Sequence, residues 1–163
     1  MKPIKLSELI EALEMDFEES VTRVDLQEGC VVTVDQTVLS AAEEGNEPAL
    51  DKLAEWEKKE VEIARAIAED SGERFVSAPS KFDFHEYRQM EKFIGTVEDA
   101  EAAQQLWRAI KGKGAFRYFK DTASRLGLLE RWFGYRDEAM KEFVVGWAEA
   151  NNVAYEDDVK GGG

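Results

Sequence analysis

The chain has 163 residues, 44% of them hydrophobic, and 21 Lys and Arg against 35 Asp and Glu give it a formal net charge of -14. That apolar content can offset chain entropy, which disfavours disorder for the bulk of the chain. The negative field opposes non-specific attraction to nucleic acid or anionic lipid, although it leaves room for a local basic site.

The N-terminal segment, Met1-Lys2-Pro3-Ile4-Lys5-Leu6, lacks the pattern of a signal peptide, and no apolar run reaches the roughly 20 residues needed to span a bilayer. A cytoplasmic protein without a membrane role is expected. From residue 6 to 17, Leu6, Leu9, Ile10, Leu13 and Phe17 form one helical stripe with Glu8, Glu11 and Glu14 largely opposite. The period then changes to two. Val21 to Leu26 and Cys30 to Val34 read as paired strands, with Glu28-Gly29 as the turn because Gly29 tolerates a positive φ.

The segment from Gln36 to Pro48 is ambiguous, closing in a Gly45-Asn46-Glu47-Pro48 loop. Leu50, Leu53, Trp56, Ile63, Ala64 and Ile67 then predict a helix over 49–69, with Glu55 and Lys59 at favourable i,i+4 spacing. Asp70-Ser71-Gly72 ends it. Residues 73–79 offer a third strand that must stop near Pro79. Asp83 is the predicted cap of a helix over 84–94, with Glu86 at its third position and Tyr87, Met90, Phe93 and Ile94 inward.

Thr96 is the predicted cap of the next helix, with Ala100, Ala103, Leu106, Trp107 and Ile110 inward. After a turn at Gly112 and Gly114, Phe116, Phe119, Ala123 and Leu126 continue the apolar pattern. A short helix carrying Leu128, Leu129, Trp132 and Phe133 follows, and a last one over about 136–151 carries Met140, Phe143, Val144 and Trp147. Strands in the first half and helices in the second predict an α+β fold, mostly helical, with a small antiparallel two- or three-stranded sheet. The expected organisation is a single compact domain over 1–160, a candidate subdomain seam at 70–82 and a flexible tail at 161–163.

Chemistry-bearing residues are few. One Cys and one His exclude an internal disulfide and a conventional Cys/His zinc cluster, so no metal and no cofactor is expected. Cys30, inside a strand-like run, reads as a small buried hydrophobe. His85 beside Asp83 and Glu86 permits acid–base chemistry but has no convergent partner set; an exposed first-turn histidine is the simpler reading. No EF-hand spacing occurs, and the abundance of carboxylates singles out no pair.

The distinctive stretch runs from Trp107 to Phe133. Its seven basic residues against Asp121 and Glu130 make it locally +5 and leave -19 for the remainder of the -14 chain. Gly114 at a helix start, with Lys111, Lys113, Arg117 and Lys120 around it and Tyr118 facing outward, could receive phosphate, a nucleic-acid backbone or a partner carboxylate. The structural alternative is that Gly112 and Gly114 only shape a turn and that the bases balance the acidic remainder. Gly112 to Arg117 is not a dinucleotide fingerprint, since Arg117 stands where a small residue is needed and a helix precedes it.

Glu73 to Val76, Glu86 to Ile94, the Gly112-Lys113-Gly114-Ala115-Phe116-Arg117-Tyr118-Phe119-Lys120-Asp121 run and Trp132-Phe133 together resemble a bacterial family known as uncharacterised protein family 0158. The resemblance covers most of the chain. It implies a compact bacterial cytoplasmic domain of unassigned biochemical role, and it supplies no catalytic residues.

Three functional readings stand in order. The first is a non-catalytic interaction or regulatory protein with a protein partner. The second is binding of RNA or a phosphorylated ligand through the basic segment 107–133, with Lys111, Lys113, Gly114, Arg117, Tyr118 and Lys120 as the candidate contacts. The third is an acid–base enzyme using His85.

Overall fold

The computed structural model describes residues 1–15, 18–46 and 49–159. In chain order its elements are β1 (Ile4–Lys5), α1 (Leu6–Glu14), β2 (Ser20–Asp25), β3 (Cys30–Asp35), α2 (Gln36–Glu44), a 3-10 turn (Leu50–Lys52), α3 (Glu55–Glu69), β4 (Phe75–Ser77), α4 (Lys81–Phe84), α5 (Glu86–Ile94), α6 (Ala100–Ala109), α7 (Ala115–Arg125), α8 (Leu129–Ala150) and β5 (Tyr155–Glu156). The fold class is α+β, mostly helical, with a small three-stranded antiparallel sheet. The chain divides into two compact units, one of residues 1–80 with 144–159 and one of residues 81–143. Phe17, Glu47, Pro48 and the tail at 161–163 lie outside the described residues.

The first unit is built on the sheet β3-β2-β4. Val24 of β2 pairs with Val31 of β3 on one side and Val76 of β4 on the other. β-branched residues favour the pleated conformation, and period-two alternation sends them to opposite faces. Val21 and Val34 pack with Leu39 of α2 and Ala64 of α3. Alternation places Thr22, Val31 and Thr33 on the opposite face, where they border Ala12 and Met15 at α1. Leu6, Leu9 and Leu13, spaced three and four apart, are buried.

The hairpin turns through four residues, Leu26 to Gly29, between the paired Asp25 and Cys30. Gly29 has φ +68, and a Cβ there would come within 2.8 Å of the Lys2 side chain and 2.9 Å of the Pro3 carbonyl, so the position requires glycine twice over. Asp25 is only 3% exposed. Its carboxylate accepts from the Gln27 amide at 3.0 Å and the Glu28 amide at 3.2 Å, and Arg74 donates to both of its oxygens at 3.1 and 2.9 Å. Burial pushes the Asp25 carboxyl up, but the hydrogen bonds and charge of Arg74 together with the two amides outweigh it and hold the group below the ordinary carboxylate value. Amide donation to Asp70, from Phe75 first and also from Arg74 and Gly72, overcomes a desolvation cost and lowers that carboxyl too.

Several local expectations are corrected here. Residues 36–44, ambiguous by pattern, are helical because Asp35 caps them, accepting from the Thr37 amide at 2.8 Å, while Gly45 closes the helix at φ 74. The pair β1 and β5, parallel with Ile4 opposite Tyr155, is too short to leave a period in the sequence. Glu55 meets Lys58 at 3.3 Å instead of Lys59, and Trp56 is 69% exposed because α3 begins only at Glu55 and buries Val61 and Ala64.

In the second unit, Phe93 of α5, Phe119 of α7 and Trp132 of α8 meet edge to face, with centroids 4.9 to 6.2 Å apart. Met90, Leu106 and Ile110 complete this core. Quadrupole-favoured contacts of this kind add about 0.5–1.5 kcal/mol per pair to the burial of apolar area. The Trp132 Nε1 proton has no acceptor among the described residues.

Asp83 does not cap α5. The chain already turns helically over Lys81–Phe84, so His85 takes the cap position at φ 54, and Glu86 instead forms an ion pair with Arg136. Asp99, not Thr96, caps α6, accepting from the Glu101 amide at 3.0 Å. The two helices expected between 128 and 151 are one, because Gly134 between buried Trp132 and Met140 weakens a helix without breaking it. Residues 129–143 of α8 belong to the second unit and 144–150 to the first. Trp107 and Phe116 were expected inside and are 39% and 47% exposed; the buried stripes use Ala102, Leu106 and Ile110 on one side and Ala115, Phe119 and Ala123 on the other.

Phe119→Ala should therefore lower unfolding free energy by about 3–5 kcal/mol in urea melts, and Phe116→Ala by less than about 1. Arg74→Ala, which strands the buried Asp25 carboxylate, should lower the unfolding free energy near neutrality, read in the same urea melts. Because the folded Asp25 carboxyl titrates below its unfolded value, its contribution is present above the unfolded value near 3.8 and is lost as pH falls through the folded one. The gap between wild type and Arg74→Ala should accordingly shrink on acidification below about pH 4, as read by melts across pH.

Candidate interaction surface

The basic stretch is built by two helices and the turn between them. Ile110, 1% exposed, anchors the end of α6, and the Tyr87 hydroxyl donates to its carbonyl at 3.0 Å. Gly112 at φ 90 and Gly114 at φ 75 then reverse the chain, and α7 begins with no side chain capping it. Burial of Ala115, Phe119 and Ala123 turns the rest of α7 outward.

An open polar groove of about 660 Å³ runs between α6 and α7, with Gln105, Arg108, Lys111, Tyr118, Thr122 and Arg125 along it and Glu101 as its carboxylate. Arg125 donates to the Gln105 side-chain oxygen across the groove at 3.0 Å. Tyr118 is 56% exposed, and its ring lies over Gly114 so closely that a Cβ there would sit 3.0 Å from it.

Of the six residues singled out from sequence, Lys111 and Tyr118 line the groove and Gly114 lies beneath Tyr118. Lys113, Arg117 and Lys120 are exposed but do not line it. The Arg117 guanidinium stands 4.0 Å from the Asp121 carboxylate, a solvated pair worth little. Arg108 and Arg125 were not singled out and do line it. The signal was spacing: 101, 104, 105 and 108 share one face of α6, and 118, 122 and 125 share one face of α7.

His85 forms no side-chain hydrogen bond to Asp83 or Glu86; its ring lies 5.8 Å from that of Phe82. Cys30 is half-buried, and burial followed by the negative charges of Asp25, Glu8 and Glu28 pushes its thiol up, which disfavours the nucleophilic thiolate. No group of three His, Cys, Asp or Glu side chains among the described residues is placed to hold a metal ion, and no helix among them is long and apolar enough to cross a membrane.

A family model described as Uncharacterised protein family (UPF0158) matches residues 1–160. The chain belongs to UPF0158. This membership agrees with the resemblance carried by the Gly112 to Asp121 run. Among curated proteins the UPF0158 chain is similar to UPF0158 protein PA5073 of Pseudomonas aeruginosa, 29% identical over 65 residues, which is 39% of this chain and 42% of that protein. No solved structure matches. The family description names no activity, so the surface must be read from its own chemistry.

Gly114→Ala should cost about 1–2 kcal/mol for a left-handed non-glycine residue and should displace the Tyr118 ring. Thermal melts and the tyrosine side-chain resonances check the two effects separately.

Proposed function

We propose that this UPF0158 protein is a non-catalytic macromolecular-interaction protein that docks an acidic partner surface in the groove between α6 and α7. The observation that carries this reading is the convergence of Arg108, Lys111 and Arg125 with exposed Tyr118 on one groove, within a chain whose net charge is -14. Charge segregation of this kind steers a partner of opposite sign and orients it on approach. Arg and Tyr are also the side chains that dominate binding energy when an interface buries them. A cytoplasmic location accompanies this reading, supported by the lone half-buried thiol of Cys30.

Binding of RNA or a phosphorylated ligand is the second reading. It is favoured by one specific feature, the exposed Tyr118 ring beside Lys111 and Arg108, on which a base could stack while the cations meet phosphate. Lys113, Arg117 and Lys120 would then extend the contact along the backbone.

Recovery of partners from extract of the native cell should fall by about tenfold or more for Arg108→Glu with Lys111→Glu and Arg125→Glu, equivalent to about 1.4 kcal/mol. The same reversals at Lys113, Arg117 and Lys120 should change it much less, and equal recovery for the groove variant would reject the groove as the docking site. In a parallel salt series with single-stranded RNA, the second reading requires binding that weakens with salt and a slope that flattens when these lysines and arginines are replaced. Absence of RNA binding at low salt eliminates it.

A further inference from the structure

The outer edge of β3 is closed by two carboxylates that arrive from opposite faces of the sheet. Leu26 donates to the Arg74 carbonyl and Ala78 to that of Thr22, so the even-numbered peptide groups of β2 serve β4. Its odd-numbered groups therefore serve β3. Just past the end of β3, Gln36 donates to the Glu19 carbonyl, so even-numbered amides along β3 point toward β2 and the amides of Val31, Thr33 and Asp35 point away from it.

Two of those three outward donors are occupied. Glu8 of α1 accepts from the Val31 amide at 2.7 Å, and Glu60 of α3 accepts from the Asp35 amide at 2.8 Å. The Thr33 amide between them has no partner among the described residues, and Thr33 is exposed.

The strand so guarded is well suited to pairing with itself. Up to its terminal Asp35 the strand, Cys30-Val31-Val32-Thr33-Val34, carries no charge and no proline, and it is dominated by β-branched residues. An antiparallel copy centred on Thr33 would set Val31 opposite Asp35 and Thr33 opposite Thr33, matching every outward donor with an acceptor of the second chain. An open edge of this composition is a template for strand addition, and charged side chains over the edge are a recognised means of preventing it.

We propose that the β3 edge is a latent self-association surface for a second copy of this chain, held shut by the hydrogen bonds of Glu8 and Glu60 to the Val31 and Asp35 amides. The hydrogen bonds matter here more than the charge. Replacing both glutamates by glutamine keeps an acceptor oxygen at each position, whereas alanine removes the acceptor and the negative charge together.

The test is molar mass by light scattering across a concentration series of the full chain, with circular dichroism to establish folding. Glu8→Ala with Glu60→Ala should raise the mass toward twice that of wild type at high concentration, and Glu8→Gln with Glu60→Gln should stay at the wild-type mass. Adding Thr33→Lys to the alanine pair, which would place two ammonium groups face to face across the paired edges, should return the mass to that of wild type. A folded alanine pair with unchanged mass overturns the proposal, as does association that survives Thr33→Lys or that occurs equally in the glutamine pair. Should the alanine pair lose its fold, the single variants Glu8→Ala and Glu60→Ala are measured in the same way, and unchanged mass in both overturns it.

Discussion

The Asp25 carboxylate ends β2 almost wholly buried, and four donors from two separated parts of the chain converge on it: the Gln27 and Glu28 amides of the hairpin turn and the Arg74 side chain at two points. An ionised carboxylate in such a place is tolerable only because every donor is present at once. Its role is more geometric than energetic. By tying the hairpin turn to the residue preceding β4, it sets where the third strand can lie, and the Leu26 amide donating to the Arg74 carbonyl at 2.8 Å follows from the same alignment. Arg74 also stacks its guanidinium 4.8 Å from the centre of the Phe75 ring, so one side chain serves both the pair and the edge of the core.

Polar side chains finish the first unit where backbone pairing stops. Asp35 caps α2, Asp70 gathers three amides before β4, and the Ser7 amide and hydroxyl both donate to Asp158. Many of the chain's carboxylates are thus acceptors for backbone N–H groups in place of partners for lysine. That use explains how so acidic a sequence builds an ordered sheet: a carboxylate that receives amides stabilises the local turn without requiring a cation. The second unit is held differently, by the Phe93, Phe119 and Trp132 rings, and most of its basic residues lie at the surface.

The hairpin, the third strand stopping before Pro79, the burial of Trp132 and the glycine turn at 112–114 were all legible, because each rests on a local rule of period, φ or missing donor. Caps were less so. Asp83 and Thr96 satisfy the local pattern, yet His85 and Asp99 hold the positions, since the extra turn at Lys81–Phe84 and the run from Gly95 to Glu98 shift where each helix begins. Trp56, Trp107 and Phe116 sit at spacings that also fit a buried stripe, and a wide stripe cannot reveal which of its margins meets a neighbour.

Sequence alone determined the α+β class, the family membership, the segregation of charge and the scarcity of reactive groups, for these are properties of composition and short-range order. Tertiary structure decided which cations share a surface: Arg108 and Arg125 join Lys111 and Tyr118 in a groove that Lys113, Arg117 and Lys120 do not line. It also decided that Glu8 and Glu60, 52 positions apart, close the same strand edge. The physical reason is the same in both cases. A hydrogen bond or a groove depends on which faces two elements turn to each other, and one-dimensional spacing fixes a face only within its own element.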